Sequence, residues 1–166
     1  ISIRLVGSEM CIRDRSLKIL PPQEEVAVTE HLSASGVVIL ERHSGQIVYA
    51  KQADIQRPMA SITKLMTALI ILENHDLSET VTIPKEAEEV VGNKVYLEPG
   101  DRFRVADLLS ALLISSANDA AQSLAIYHSG SITAFVNEMN ERALQLGLVG
   151  THYANPSGLD SDAQYS

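Results

Sequence analysis

Apolar positions follow two periods along this chain. Near the start, β-branched residues run in short stretches; further on, apolar residues recur every three or four positions. Residues 35–40 (Ser-Gly-Val-Val-Ile-Leu) and 46–50 (Gln-Ile-Val-Tyr-Ala) flank a polar segment ending in Gly45, a pattern that predicts a β-hairpin. Pro58 closes a connector just ahead of residues 60–74, the first strong helix. There Ile62, Leu65, Met66, Leu69, Ile70 and Leu72 cover more than one face, which predicts a helix central to the fold. A short strand is expected at 80–83, a helical turn at 85–91 after Pro84, and an extended piece at 95–97 between Gly92-Asn93 and Glu98-Pro99-Gly100-Asp101. Helices follow at 105–114, 119–127 and 131–146, the last stopped by Gly147. Residues 151–166 read as loop, with a turn at Asn155-Pro156-Ser157-Gly158. The order of elements predicts an α+β (α/β) domain.

Composition narrows the function classes. With 166 residues, 45% of them hydrophobic, the chain can build one domain with a sizeable core. The net charge of −8 argues against nucleic acid as a partner, because phosphate binding favours a basic surface. The first twenty residues differ: they hold Arg4, Arg13, Arg15 and Lys18 against Glu9 and Asp14, leaving 9 basic and 19 acidic residues in the rest. Residues 5–15 have no clear periodicity and no uninterrupted apolar core of a signal peptide. Residues 1–20 resemble translated sequencing-adapter read-through; a disordered N-terminal arm is the plainer alternative. Either way they stand outside fold reasoning. Cys11, the single cysteine, lies in that segment, so no thiol nucleophile or disulfide is expected in the domain. His31, His43, His75, His128 and His152 lack ligand spacing, and no metal site is expected. Glu86, Glu88 and Glu89 read as a solvated helix face.

Two short polar pieces carry candidate chemistry. Ser61 and Lys64 stand three residues apart at the start of the apolar helix, which places both side chains on one face. A serine hydroxyl needs a base to act as a nucleophile, and a lysine serves once burial or positive potential lowers its pKa. The same two residues read as a helix cap and a surface lysine just as readily. Ser116 and Asn118 interrupt two apolar helices, where a hydroxyl can relay a proton and an amide can hold a lysine or a peptide. Taken by themselves, they are better explained as caps of the next helix.

Taken together, the two pieces resemble the penicillin-recognising serine D-Ala-D-Ala carboxypeptidases, the low-molecular-mass penicillin-binding proteins. S-x-x-K stands as Ser61-Ile62-Thr63-Lys64 and S-x-N as Ser116-Ala117-Asn118. The context agrees: Pro58-Met59-Ala60 before the serine, Asn118-Asp119-Ala120 after the second motif, and Asn155-Pro156-Ser157-Gly158-Leu159-Asp160 beyond. The resemblance implies a β-lactamase/DD-peptidase-like fold, a helical cluster packed on an antiparallel sheet, with residues 33–166 forming part of the catalytic domain. It implies that Ser61 attacks the penultimate D-Ala carbonyl of a peptidoglycan stem peptide while Lys64 takes its proton. Ser116 would pass a proton to the leaving D-Ala, and Asn118 would orient Lys64 and bind substrate backbone. β-Lactams would trap Ser61 covalently. No cofactor is implied, and the location would be the bacterial cell envelope, with membrane attachment open.

The family's third motif, K-[TS]-G, is absent. His43-Ser44-Gly45 fits a hairpin turn and His128-Ser129-Gly130 a helix end, so neither substitutes for it. The chain is therefore read as a C-terminally truncated piece lacking sheet strands and half of the oxyanion hole. As written it is expected to be inactive and less stable. Two alternatives remain. A class A-like β-lactamase would need a Glu-x-x-Leu-Asn after Asn118, and the nearest stretch, Glu141-Arg142-Ala143-Leu144-Gln145, looks like ordinary helix. A non-catalytic peptidoglycan-binding relative is the other.

Overall fold

The computed structural model describes residues 32–159 and 163–166. The N-terminal leader with Cys11 and His31, and Asp160 of the last quoted motif, lie outside the described residues. The chain divides after Ile55 into two compact units.

The first unit is the expected hairpin. Strands β1 (Val37–Leu40) and β2 (Ile47–Lys51) pair antiparallel, with Val37 opposite Lys51 and a register shift between Ile39 and Leu40. The Glu41 carboxylate organises the turn by accepting from the amides of His43 and Ser44 and from the Ser44 hydroxyl. Gly45 takes up the left-handed conformation that the turn needs, at φ 70°.

The second unit is a helical cluster with a short β-ribbon. A 3-10 turn (Ala60–Thr63) leads into α1 (Lys64–Asn74); then come β3 (Thr80–Thr82), a 3-10 turn (Lys85–Ala87), β4 (Arg102–Arg104), α2 (Val105–Ile114), α3 (Asn118–Ser129) and α4 (Ile132–Gln145). β3 and β4 pair antiparallel with Val81 opposite Phe103. The pattern had not revealed β4, whose Arg-Phe-Arg offers a single apolar residue and merges into the following helix. The extended piece predicted at 95–97 forms no strand: Tyr96 sits at φ 60°, and the amides of Val95 and Leu97 bond the Asp119 carboxylate instead of a neighbouring strand.

The centre of this unit is α3, not α1. α3 packs against α1, α2, α4 and β3. Its Ala120, Ala121, Leu124 and Ala125 are fully buried, and the small alanines let neighbouring helices approach closely. Ile70 and Ile71 from α1, Leu108 and Leu112 from α2, and Phe135 and Met139 from α4 close the core around them. Each such side chain contributes about 1.5–3 kcal/mol on burial. α1 is apolar all round because it serves two surfaces. One faces this core; the other, with Leu65 and, in the preceding turn, Ile62 more than 60% exposed, lines a cleft with Leu112 and Leu113 of α2.

Polar links fasten the helix ends. Ser131 caps α4 by accepting from the Ala134 amide at 3.2 Å. Gly130, at φ 74°, ends α3. A hydrogen-bonded string runs from Glu79 through His75 and His128 to Glu138, joining the ends of α1 and α3 to α4. The Arg142 guanidinium grips the Glu73 carboxylate with two hydrogen bonds, at 3.0 and 2.6 Å.

Candidate active site

The 3-10 turn and α1 carry the first pair. The chain enters through Ala60, a non-glycine residue at φ 45°, so the helix begins one tight turn before α1 rather than as regular α-helix. Ser61 lies in that turn and Lys64 opens α1. Their side chains meet as the spacing predicted, with Lys64 Nζ donating to Ser61 Oγ at 3.2 Å. Lys64 is only 3% exposed, and burial lowers its pKa from the ordinary 10.5 by disfavouring the charged ammonium.

The break between α2 and α3 carries the second pair. Ser116 adopts φ 53°, a left-handed conformation that turns the chain sharply between the two helices. Its hydroxyl reaches across and donates to Ser61 Oγ at 2.9 Å. Ser61 Oγ therefore sits between a buried amine and a second hydroxyl. A cleft of about 350 Å³ opens over this group, lined by Ser61, Ile62, Lys64, Leu65, Leu112, Leu113 and Ser116.

Asn118 is in the neighbourhood but its amide is engaged elsewhere. It is buried, and its Nδ2 donates to the Val91 carbonyl at 2.8 Å. Its own backbone N–H donates to the Asn93 carbonyl, and Asn93 Nδ2 returns a bond to the Ser115 carbonyl. Gly92 permits this approach: a Cβ there would lie 2.8 Å from Asn118 Nδ2. Asn118 thus ties the loop around Gly92 to the Ser116 turn, and the expected contact to Lys64 is replaced by another. Lys64 Nζ donates at 2.6 Å to the carbonyl of Ser157. The adjacent Asp119 carboxylate, also buried, accepts from the amides of Val95, Leu97 and Ala120 and so fixes the other end of the same loop.

Sequence reasoning singled out Ser61, Lys64, Ser116 and Asn118 but missed the contacts made by Ser157, Asn93 and Asp119. A backbone carbonyl leaves no mark on residue type. The turn at 155–158 and the Asn118-Asp119 pair were visible only as text surrounding the motifs.

The arrangement can do specific chemistry. With one N–H of Lys64 held by the Ser157 carbonyl, a neutral amine directs its lone pair toward the Ser61 hydroxyl. That is the geometry of a nucleophile beside its base. Ser116, within hydrogen-bond reach of the same oxygen, can carry a proton to or from it.

Comparison with known proteins agrees with this chemistry. Residues 23–166 match the family described as D-alanyl-D-alanine carboxypeptidase, peptidase S11. The chain is 37% identical over 138 residues to the D-alanyl-D-alanine carboxypeptidase DacF of Bacillus subtilis, covering 80% of this chain and 36% of that protein. The crystal structure of the D-alanyl-D-alanine carboxypeptidase DacD of Francisella tularensis superimposes with a TM-score of 0.79 at 34% identity, over 82% of this chain and 34% of that one. Penicillin binding protein 5 of Haemophilus influenzae gives a TM-score of 0.77 at 32% identity, over 82% and 42%. The chain thus spans about a third of the length of the DacF and DacD proteins. With a matching fold and a family match over most of its length, the chain belongs to the D-alanyl-D-alanine carboxypeptidase family, peptidase S11.

Proposed function

We propose that the protein carrying this chain is a serine acyl-enzyme peptidase of the cell envelope that removes the terminal D-Ala from peptidoglycan stem peptides. The observation that carries the reading is the pair of contacts on Ser61 Oγ, to Lys64 Nζ at 3.2 Å and to Ser116 Oγ at 2.9 Å. Ser61 attacks the carbonyl of the penultimate D-Ala. Its proton passes to Lys64, whose burial keeps the neutral base accessible nearer neutral pH. The D-Ala amine leaves with a proton delivered through Ser116, and water then hydrolyses the ester on Ser61. Asn118 holds the Gly92 loop against the cleft, and substrate backbone lies along that edge. A β-lactam presents a ring-strained amide carbonyl in the same position; attack by Ser61 breaks its ring C–N bond, and the opened molecule stays on Ser61 as an ester.

The 166 residues contain no K-[TS]-G. Loss of one oxyanion donor slows acyl transfer by about 10²–10³. The chain by itself is accordingly expected to react poorly. The exposed apolar residues Ile62, Leu65 and Leu113 that line the cleft support the same reading, since they leave one wall of the site uncovered.

The test uses the full-length gene product and a stem pentapeptide ending in D-Ala-D-Ala. The enzyme should release free D-Ala, and Ser61→Ala should abolish release. No release from the intact protein, or equal release from the alanine variant, contradicts the assignment.

A further inference from the structure

Asn155 belongs to neither of the two motifs, yet a single side chain there shapes the wall behind Lys64. Its Oδ1 accepts from four donors: the amides of Ser157, Gly158 and Leu159 at 3.2, 2.7 and 3.1 Å, and the Ser157 hydroxyl at 3.2 Å. Its Nδ2 donates to the Leu159 carbonyl at 2.9 Å, which closes the loop on itself. Buried Gln164 adds a brace, its Oε1 accepting from the amides of Ala154 and Asn155.

The turn so formed engages the nucleophile-bearing helix at three consecutive residues. The Pro156 carbonyl accepts from the buried Thr67 hydroxyl at 2.7 Å. The Ser157 carbonyl accepts from Lys64 Nζ at 2.6 Å. Gly158 lies against the backbone of Ala60 and Ser61. Lys64 and Thr67 lie three residues apart on one stripe of α1, and Gly158 meets the backbone of the 3-10 turn that leads into it. One amide side chain therefore sets where three successive peptide groups meet that stripe and turn.

We propose that Asn155 is a positioning residue for Lys64, holding the Ser157 carbonyl where it orients the amine toward Ser61 and excludes water from it. The inference rests on the acyl-enzyme reading above. Asn155 touches no reacting atom and acts through the carbonyl. The water exclusion matters because burial is what lowers the Lys64 pKa. Opening the turn hydrates the amine and returns it toward the ordinary lysine value of 10.5. Loss of orientation adds a further penalty, since a misplacement of about 1 Å can cost about 10²-fold in rate.

The experiment follows acylation of the full-length gene product by a fluorescent penicillin, from about pH 5 to about pH 10, a range that brackets a lowered lysine. Wild type, Asn155→Ala, Asn155→Ser and Ser61→Ala are compared. Asn155→Ala should acylate about 10- to 100-fold more slowly at neutral pH, with the ascending, acid-side limb of its pH profile displaced upward, since the base must lose its proton to act. Asn155→Ser should fall between, because a serine hydroxyl makes the same kind of turn more weakly. If Asn155→Ala loses its unfolding transition, the serine variant carries the test through the same limb. A limb unmoved in both variants overturns the inference, even where the rate falls, since that is what a merely structural residue would do. Absence of Ser61-dependent labelling in wild type overturns the acyl-enzyme reading and this inference with it.

Discussion

Gly158→Ala separates close approach from backbone conformation at the site. Gly158 has φ +85°, a region that costs an L-residue about 1–2 kcal/mol. A Cβ there would also stand 1.9 Å from the Ala60 oxygen, 2.4 Å from its carbonyl carbon and 2.9 Å from the Ser61 nitrogen. These are backbone atoms, so a rotamer change cannot relieve the contact. Gly130 supplies the control, with a similar φ of +74° and nothing within 4 Å of an added Cβ. Gly130→Ala should therefore cost only the conformational part, about 1–2 kcal/mol. Gly158→Ala should cost that plus overpacking, commonly about 1–3 kcal/mol more. In a unit of this size the difference lowers Tm by roughly a further 4–15 °C. The displaced backbone is that of the nucleophile, so penicillin acylation should also fall by about 10²-fold in Gly158→Ala and stay near wild type in Gly130→Ala. Thermal unfolding and labelling of the two variants in the full-length protein give the comparison. Equal Tm losses, or unchanged acylation in Gly158→Ala, would refute the claim that the turn bears directly on Ser61.

Two further outcomes follow from contacts away from the cleft. Ser131→Ala removes the cap of α4 and should destabilise the protein by about 1 kcal/mol in urea unfolding, with acylation unchanged. The Glu79 carboxyl is held down at about 2 by hydrogen bonds from the Tyr127 hydroxyl, the Asp76 amide and His75. Its contribution is complete above the ordinary carboxylate value of 4.5 and is lost as pH falls toward about 2. Tyr127→Phe removes the largest of these influences, so its acid-unfolding midpoint should move to higher pH; an unmoved midpoint would show that the bond carries no linkage.

What could be read before folding depended on whether side-chain type or backbone placement does the work. Ser61, Lys64 and Ser116 stand out by residue type, as hydroxyls and an amine at the start of one helix and in the break between two others. The structure brings Lys64 and Ser116 each within hydrogen-bond reach of Ser61 Oγ. Asn118 was found for its residue type but its partner was not, because which carbonyl its amide meets depends on the loop around Gly92. The Ser157 carbonyl was invisible, being common to every residue, and Asn155 registered only as a turn former. The hairpin at 37–51 was legible from its alternation and its Gly45 turn. β4 was not, since three residues with one apolar side chain give no period. The apolar pattern of α1 was correctly seen to cover more than one face, yet it suggested a helix central to the fold. Small residues in α3 earned that place instead, and part of α1 remains exposed.

The central claim is that Ser61 is the acylated nucleophile. Full-length protein incubated with penicillin, digested and mapped by mass spectrometry tests it most directly. The account predicts one penicilloyl adduct, on the peptide containing Ser61, and its disappearance in Lys64→Met at neutral pH. An adduct on another residue, or one formed equally fast without Lys64, would contradict it.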